Sequence, residues 1–438
     1  MFKKRSPLSI LLLAALAVAL AGCGAGATPT ATPVSEPAAT VAPTDTAAAV
    51  PTDTAPPPTD TAEAPTETAA PTDTVAPEAT PTQVAAGTPV MQPVGNLPWK
   101  QLGLAGKAVQ SIALFPSGGN VVVGAGPQGA WRTTYDYTSW EQLSVHPQGR
   151  TASAALESPD VIYITSHTGC ASGAPITLMR STDAGKTWQE VTKGAVPLTV
   201  AVANNTLAYG TTCSSVVKTT DSGATWTELP GSKLTNYDPA TLAVSPDGQI
   251  IFAAYYSEGG SARIMRSTDS GASWSDVTPK DKEIRAQVLL QVVPGTQGHT
   301  EQAGAYMASS PGLLWFLAEG TNDWKLFRAD NPMLDNPAAN APYEITALYV
   351  DTNYSEDYPK PGPIVYTARA TQDGGKLKGL GVFRTMDKGI TWEPVGKGLE
   401  PQAANTLVLA PHDAFATPKT VEVLLAGTED GVWGLAMR

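Results

Sequence analysis

Reactive and metal-binding side chains are scarce in this chain of 438 residues. The 4 histidines (His146, His167, His299, His412) are scattered. No two have metal-ligand spacing, so no metal site is expected. No serine or cysteine nucleophile motif occurs, and the glycines sit in turns and strand starts rather than in a phosphate-cradling loop. No cofactor is expected. The formal net charge is -12 and the part of the chain beyond the leader is acidic, which argues against nucleic acid as a partner. Outside the leader there is no sustained helical period. Apolar residues come in short runs between glycine-rich turns, which points to an all-β protein.

The first ninety-odd residues differ from the rest. Lys3, Lys4 and Arg5 precede an apolar stretch from Leu8 to Ala21, the length of a signal peptide and short for a membrane span. It ends in Leu20-Ala21-Gly22-Cys23. This resembles the lipobox of bacterial lipoproteins, which are cleaved before the cysteine and acylated on it. The resemblance implies residues 1–22 as signal peptide, Cys23 as lipidation site and a chain held on the extracytoplasmic side of the cell membrane. The plainer alternative is a secretory signal with an incidental cysteine.

Residues 23–97 then repeat Pro-Thr-Asp-Thr at 43–46, 51–54, 58–61 and 71–74, with almost no large apolar residues. Acids are frequent (Glu36, Asp45, Asp53, Asp60, Glu63, Glu67, Asp73, Glu78), and Lys and Arg are absent from 24 to 98. Such a segment cannot offset the entropy of ordering, so a disordered Pro/Thr-rich tether is expected.

The remaining residues, 98–438, contain four nearly superimposable segments: 179–188, 217–226, 265–274 and 383–392. Each places an Asp, a Gly two residues on and a Trp three further (Asp183, Gly185, Trp188; Asp221, Gly223, Trp226; Asp269, Gly271, Trp274; Asp387, Gly389, Trp392). Each follows one short apolar run and leads into another. The physical reading is a tight hairpin: the carboxylate accepts from the turn's own amides, the glycine takes a positive φ, and the indole lays an apolar face on the sheet with an N–H free to find a partner. Weaker copies stand at 133–143, with Asp136 and Trp140, and at 319–324, which keeps only a turn and Trp324.

Counting the strand runs upstream of each copy gives four strands per unit, with units at 108–145, 150–191, 197–229, 239–277, 285–327, 343–395 and 403–435. The last unit holds only three strands. Trp99-Lys100-Gln101-Leu102 resembles Trp188-Gln189-Glu190-Val191 and would supply the fourth. The expectation is therefore a seven-bladed β-propeller closed by an N-terminal strand, with six or eight blades as alternatives because the unit at 343–395 is long and that at 285–327 poorly marked.

The repeat resembles the Asp-box (BNR) repeat. Its Gly-Val-Phe-Arg-Thr-x-Asp-x-Gly-x-Thr-Trp form resembles the branch that holds photosystem II assembly and stability factors and sortilin-type receptor domains. That resemblance implies a binding scaffold, with the box turns on the blade periphery in a structural role. Sialidases also carry the repeat, but their Arg-Ile-Pro signature is absent, and apart from the leader, the boxes and the residues just before them only Arg150, Arg263, Arg285, Arg328, Arg369 and Arg438 remain for a carboxylate-binding triad.

Two functional readings follow: a non-enzymatic binding or assembly scaffold for a protein, peptide or glycan, or an Asp-box glycoside hydrolase using two carboxylates. The candidate binding loop is the long insertion of the sixth unit, where Asp351, Glu356 and Asp357 lie among Tyr349, Tyr354 and Tyr358. With Cys23 spent on lipid, Cys170 and Cys213 remain. They fall after the second strand of two adjacent units, and a disulfide between them is expected.

Overall fold

The computed structural model describes residues 94–437, apart from 115–119, 125–127, 135–136, 138, 146–150, 168–169, 171–175, 193, 205, 281–283, 294–303, 311, 328–342, 352–362, 388 and 412–421. The described residues form strands β1 to β28 and a 3-10 turn at Val94–Asn96. No helix among them is long and apolar enough to cross a membrane.

The strands make seven four-stranded antiparallel sheets. In chain order the blades span 111–142, 151–190, 199–228, 238–276, 285–327, 344–395 and 404–436. The seventh is completed by β1 (Lys100–Gly103), which pairs with β28 (Gly431–Ala436), Lys100 opposite Gly434 and Gln101 opposite Trp433. The first strands are Ser111–Leu114, Thr151–Leu156, Thr199–Val202, Asp238–Val244, Arg285–Val293, Glu344–Asp351 and Ala404–Pro411. Each touches the first strand of both neighbouring blades, and the seventh touches the first, so the ring is closed. The expected seven blades and the closing N-terminal strand are both present.

Burial is graded outward. First strands, at the centre, are half-buried, as in Thr199–Val202. Second strands such as Ala208–Thr211 are buried throughout, because both faces pack on neighbouring blades. The fourth strands Glu141–Gln142, Gln189–Glu190, Thr227–Glu228 and Ser275–Asp276 are two-residue exposed edges. Such short edges offer little template for pairing with another chain.

The core is not one mass. Seven separate apolar clusters occupy the seven faces between blades. In each, a Trp heading one blade's fourth strand meets the second strand of the preceding blade. These are Trp99, Trp140, Trp188, Trp226, Trp274, Trp324 and Trp392. Five of the facing second-strand residues are aromatic: Tyr163, Tyr209, Phe252, Tyr306 and Tyr366. Tyr163 and Trp226 meet edge to face with centroids 6.3 Å apart, and Phe252 and Trp324 do so at 6.1 Å. Polar latches tie the first strands, or the residues just before them, from blade to blade. Ala154 N–H donates to Ser111 Oγ (2.9 Å), Thr241 Oγ1 to Val288 O (3.1 Å), and Asn405 Nδ2 to Val109 O (3.0 Å). Gln291 holds both backbone groups of Val350.

Trp99 closes the ring. Its Nε1 donates to Val395 O at 2.8 Å, its ring is buried in the sixth-to-seventh cluster, and its own amide donates to Lys397 O. Leu97 already packs on the same cluster. Trp99→Ala is expected to cost about 3–5 kcal/mol as a buried aromatic truncation. Urea unfolding checks this; an unchanged midpoint would show that the ring does not depend on this strand.

Candidate functional site

The four repeated turns have one geometry. At the second blade, Ser181 Oγ donates to Asp183 Oδ1 and accepts from Gly185 N–H at 2.7 Å. The Asp183 carboxylate also accepts from Thr187 N–H (2.8 Å) and Thr187 Oγ1 (2.6 Å). The same bonds recur around Asp221, Asp269 and Asp387. Two consecutive left-handed residues are what demand glycine: Ala184 (φ 58) is followed by Gly185 (φ 84), and Ser222 and Ser270 precede Gly223 and Gly271 likewise. Asp183 is held down to about 2, first by the Thr187 hydroxyl, and Asp269 to about 2, first by the Ser273 hydroxyl. Asp221 is also lowered, with burial opposing and the Thr225 and Thr219 bonds prevailing. The Asp183 carboxylate is thus occupied by three donors of its own turn, Ser181 Oγ, Thr187 N–H and Thr187 Oγ1.

The indoles depart from the sequence expectation. Trp188 Nε1 reaches Gly185 O at 3.1 Å, but Nε1 of Trp226, Trp274 and Trp392 is buried with no acceptor. The magnitudes explain why this is tolerated. An unpaired N–H costs about 1–3 kcal/mol, whereas burying roughly 150–250 Å² of indole at about 25 cal/mol per Å² returns about 4–6 kcal/mol.

Three arginines at the end of a third strand clasp the next blade, Arg132, Arg180 and Arg266, whereas Arg384 pairs with Glu393 and Lys218 lies over Tyr209, each within its own blade. An Arg132 amine donates to Ala184 O, and Arg180 Nε donates to Ser222 O. Beneath the second of these, buried Glu157 accepts from Tyr163 OH and from Ser222 Oγ (2.6 Å), joining two blades through one carboxylate. On the opposite face of the ring, the loops after the second strands of the second and third blades are joined by a Cys170–Cys213 disulfide, with Cα atoms 5.4 Å apart.

Every charged residue of the seven first strands stands at a strand end. Asp238, Arg285 and Glu344 start the first strands of three consecutive blades, on the disulfide face. Asp351 ends the sixth blade's first strand, on the face of the box turns. Between the ends the inner strands are Ala, Thr, Val, Leu, Ile, Ser, Asn, Gln, Pro and Tyr.

Asp351 is the buried acid of an unanticipated corner. It is 4% exposed. Tyr349, two residues before it, is packed against Tyr366 with centroids 6.3 Å apart and has a backbone hydrogen bond with Leu409. Burial, with the Asp351 and Glu422 charges adding to it, pushes the Tyr349 phenol up. Glu422, at the start of the seventh blade's second strand, is pushed up first by burial and then by the Asp351 charge. The structure thus brings Tyr349 and Asp351 together with Glu422, which lies more than seventy residues away and carries no local signal. Tyr354, Glu356, Asp357 and Tyr358 of the anticipated loop, and Cys23, lie outside the described residues.

The arginines do not form a carboxylate-binding triad among the described residues. Arg263 is in the fourth blade, paired with Asp276 at 3.5 Å. Arg369 is buried in the sixth, stacked on Phe383 (4.4 Å), Trp392 (4.5 Å) and Tyr343 (4.9 Å), and pushed down to about 10 by burial. Three aromatic faces give this cation part of the stabilisation it loses on leaving water. No group of three or more His, Cys, Asp and Glu suited to a metal occurs among the described residues.

Two outcomes test these assignments. Asp183 and Asp269 sit below their ordinary value near 3.8. Their contribution to stability is present above that value and lost as pH falls from about 4 towards about 2. Asp183→Asn with Asp269→Asn is expected to flatten the acid limb of a melting-temperature profile; a limb of unchanged slope would refute it. Cys170 and Cys213 close a loop with a sequence separation of 43. Replacing both by Ser is expected to cost about 4 kcal/mol by loop entropy, measured by denaturant unfolding without reductant.

No family model matches this chain, and no curated protein does. Solved structures are similar in fold. The GH74 xyloglucanase from Xanthomonas campestris superposes at TM-score 0.56 and 15% identity, over 77% of this chain and 53% of that one, so this chain spans about half of it. YCF48 bound to D1 peptide superposes at TM-score 0.53 and 16% identity, over 79% of this chain and 99% of that one. YCF48 from Cyanidioschyzon merolae does so at TM-score 0.52 and 15% identity, over 77% and 98%. The shared property is the propeller, which serves a glycoside hydrolase in one case and a peptide complex in another.

Proposed function

We propose that this chain is a lipid-anchored, non-enzymatic binding scaffold on the extracytoplasmic side of the membrane, and that its ligand is a protein or peptide. The observation that carries the reading is the inner wall: seven first strands whose interior positions are all uncharged, with Asp238, Arg285 and Glu344 gathered at one mouth. Such a wall offers shape and backbone polarity to an extended chain but no acid–base pair along its length. A propeller of similar extent solved with a bound peptide supports the same direction. The lipobox-like Leu20 to Cys23 and the Pro/Thr-rich segment support the anchor and its reach.

A glycoside hydrolase is the second reading. It is favoured by one observation: Glu422 is raised beside the Asp351 carboxylate, as a general acid beside a second acid would be. The two readings separate on one assay. The full chain is incubated with xyloglucan, sialyllactose and other extracellular glycans, and new reducing ends are measured. The scaffold reading expects none. Turnover that disappears in Glu422→Gln or Asp351→Asn would establish the hydrolase instead. For the anchor, cells fed labelled palmitate are expected to label the wild-type chain and not Cys23→Ser, which should appear in the medium; labelling that survives the substitution would refute lipidation at Cys23.

A further inference from the structure

An Asp-Gly pair can modify itself. The glycine amide nitrogen attacks the aspartate side-chain carbon, and no Cβ on the second residue stands in the way. The chain has three such pairs: Asp247-Gly248, Asp373-Gly374 and Asp430-Gly431. Two of them are locked by the fold. Gly248 N–H donates to Ser245 O at 2.8 Å, and the Asp247 carboxylate accepts from Gln249 N–H (3.0 Å) and Ser245 Oγ (2.5 Å). Gly431 N–H donates to Lys107 O at 2.8 Å, and Asp430 Oδ1 accepts from Gly106 N–H at 2.6 Å. Both glycines are also tightly packed. A Cβ on Gly248 would meet Leu207 at 2.3 Å, and one on Gly431 would meet Gly103 O at 2.4 Å. Either pair must break these contacts before its nitrogen can reach the carboxyl carbon.

The third pair is free of such restraint. It stands at the tip of the sixth blade's middle hairpin, between the strands Ile364–Asp373 and Lys376–Thr385. Asp373 pairs with Lys376, so the turn is Gly374 (φ 59) and Gly375 (φ 83), both left-handed as a two-residue hairpin turn of this kind requires. Among the described residues no hydrogen bond engages the Gly374 N–H. A Cβ on either glycine would meet nothing within 4 Å. The Asp373 side chain is 68% exposed, and Lys378 Nζ stands 3.9 Å from it, beyond hydrogen-bonding reach. Nitrogen and carboxyl carbon are therefore neighbours that no hydrogen bond holds apart. The stem of the hairpin is different. Gly379 N–H donates to Pro401 O at 2.8 Å, and a Cβ on Gly379 would meet Gln402 O at 1.9 Å. Motion at the tip stops at this clamp.

We infer that Asp373 is a site of spontaneous isoaspartate formation, the one Asp-Gly pair of the three that the fold leaves reactive. The Gly374 nitrogen bonds to Asp373 Cγ, and one carboxyl oxygen leaves as water with the amide proton and a proton from solvent. Water then opens the succinimide at the Asp373 main-chain carbonyl, breaking its bond to the Gly374 nitrogen, so the chain runs on through Cβ and Cγ. The added methylene lengthens a two-residue turn and changes the tip that presents Leu377, while the clamped stem and the ring stay as they are. The inference does not rest on the binding reading, and either can fail alone. In the test, the full chain is held for weeks at neutral pH and physiological temperature, and its tryptic peptides are read for isoaspartate by electron-transfer fragmentation. Residues 370–376 are expected to convert about tenfold or more faster than the peptides with Asp247 and Asp430, because those sites must first open locally. In guanidinium chloride all three are expected to convert at similar rates. Asp373→Glu, which would need a six-membered ring, is expected to give no signal at this peptide. Asp247 or Asp430 converting as fast as Asp373 in the folded chain overturns the inference. So does an Asp373 that converts only in guanidinium chloride, or a gap that persists there and so belongs to the flanking sequence.

Discussion

The fold depends on one repeated contact: a tryptophan at the head of each fourth strand, wedged against the second strand of the blade before it. A four-stranded blade cannot bury two faces alone. It becomes stable only as its flanks are covered, and the indole is the largest piece of apolar surface available to cover one. Because the same contact recurs at all seven faces, the ring has seven small cores instead of one large one. The contact outlives the motif that carries it. Trp99, Trp140 and Trp324 have no complete box before them, yet each donates its N–H to a carbonyl of the preceding blade's outer strand, at Val395, Leu102 and Val277. Where the box is intact, the turn's own bonds fix the chain direction, and the indole N–H goes unpaired at three of four sites. The box and the indole hydrogen bond are thus two ways of aiming the same ring.

That redundancy accounts for what could be read in the sequence. Seven units, their boundaries to within a few residues and the closing Lys100–Gly103 strand all follow from the spacing of Trp and of glycine-bearing turns, because these are local signals. The residues that missed notice all act across blades. Tyr163, Tyr209, Tyr306 and Tyr366 lie in apolar runs where tyrosine is unremarkable, and only the ring geometry makes them the partners of the next blade's Trp. Arg369 read as a spare arginine, and its three aromatic neighbours come from Tyr343, Phe383 and Trp392, distant enough in sequence to give no pattern. Glu422 joined Asp351 and Tyr349 only through the packing of the seventh blade on the sixth. The candidate site was half legible for that reason: its tyrosine and aspartate lie on one strand, and its glutamate on another.

The distribution of charge follows from the same architecture. A first strand is hydrogen-bonded on one side only, half-buried against its neighbours and open to the axis. A charge in its middle would be partly desolvated with no partner of opposite sign close by. The inner strands accordingly confine ionisable residues to their ends, where water remains within reach. Chemistry or recognition by charged groups is thereby restricted to the two mouths and the rims. The two mouths are not equivalent. The disulfide face gathers Asp238, Arg285 and Glu344 on adjacent blades, while the box face has Asp351 and Glu422 at its inner edge.

The irregular fifth blade shows what a repeat fold can do without. With a box in place, the glycine sits against a large side chain, as Gly223 does against Tyr163 and Gly271 against Leu229. The fifth blade has no box, yet Trp324 still holds the face through Val277 O and the Phe252 ring. A blade can therefore lose its box turn without opening the ring, provided that its tryptophan stays.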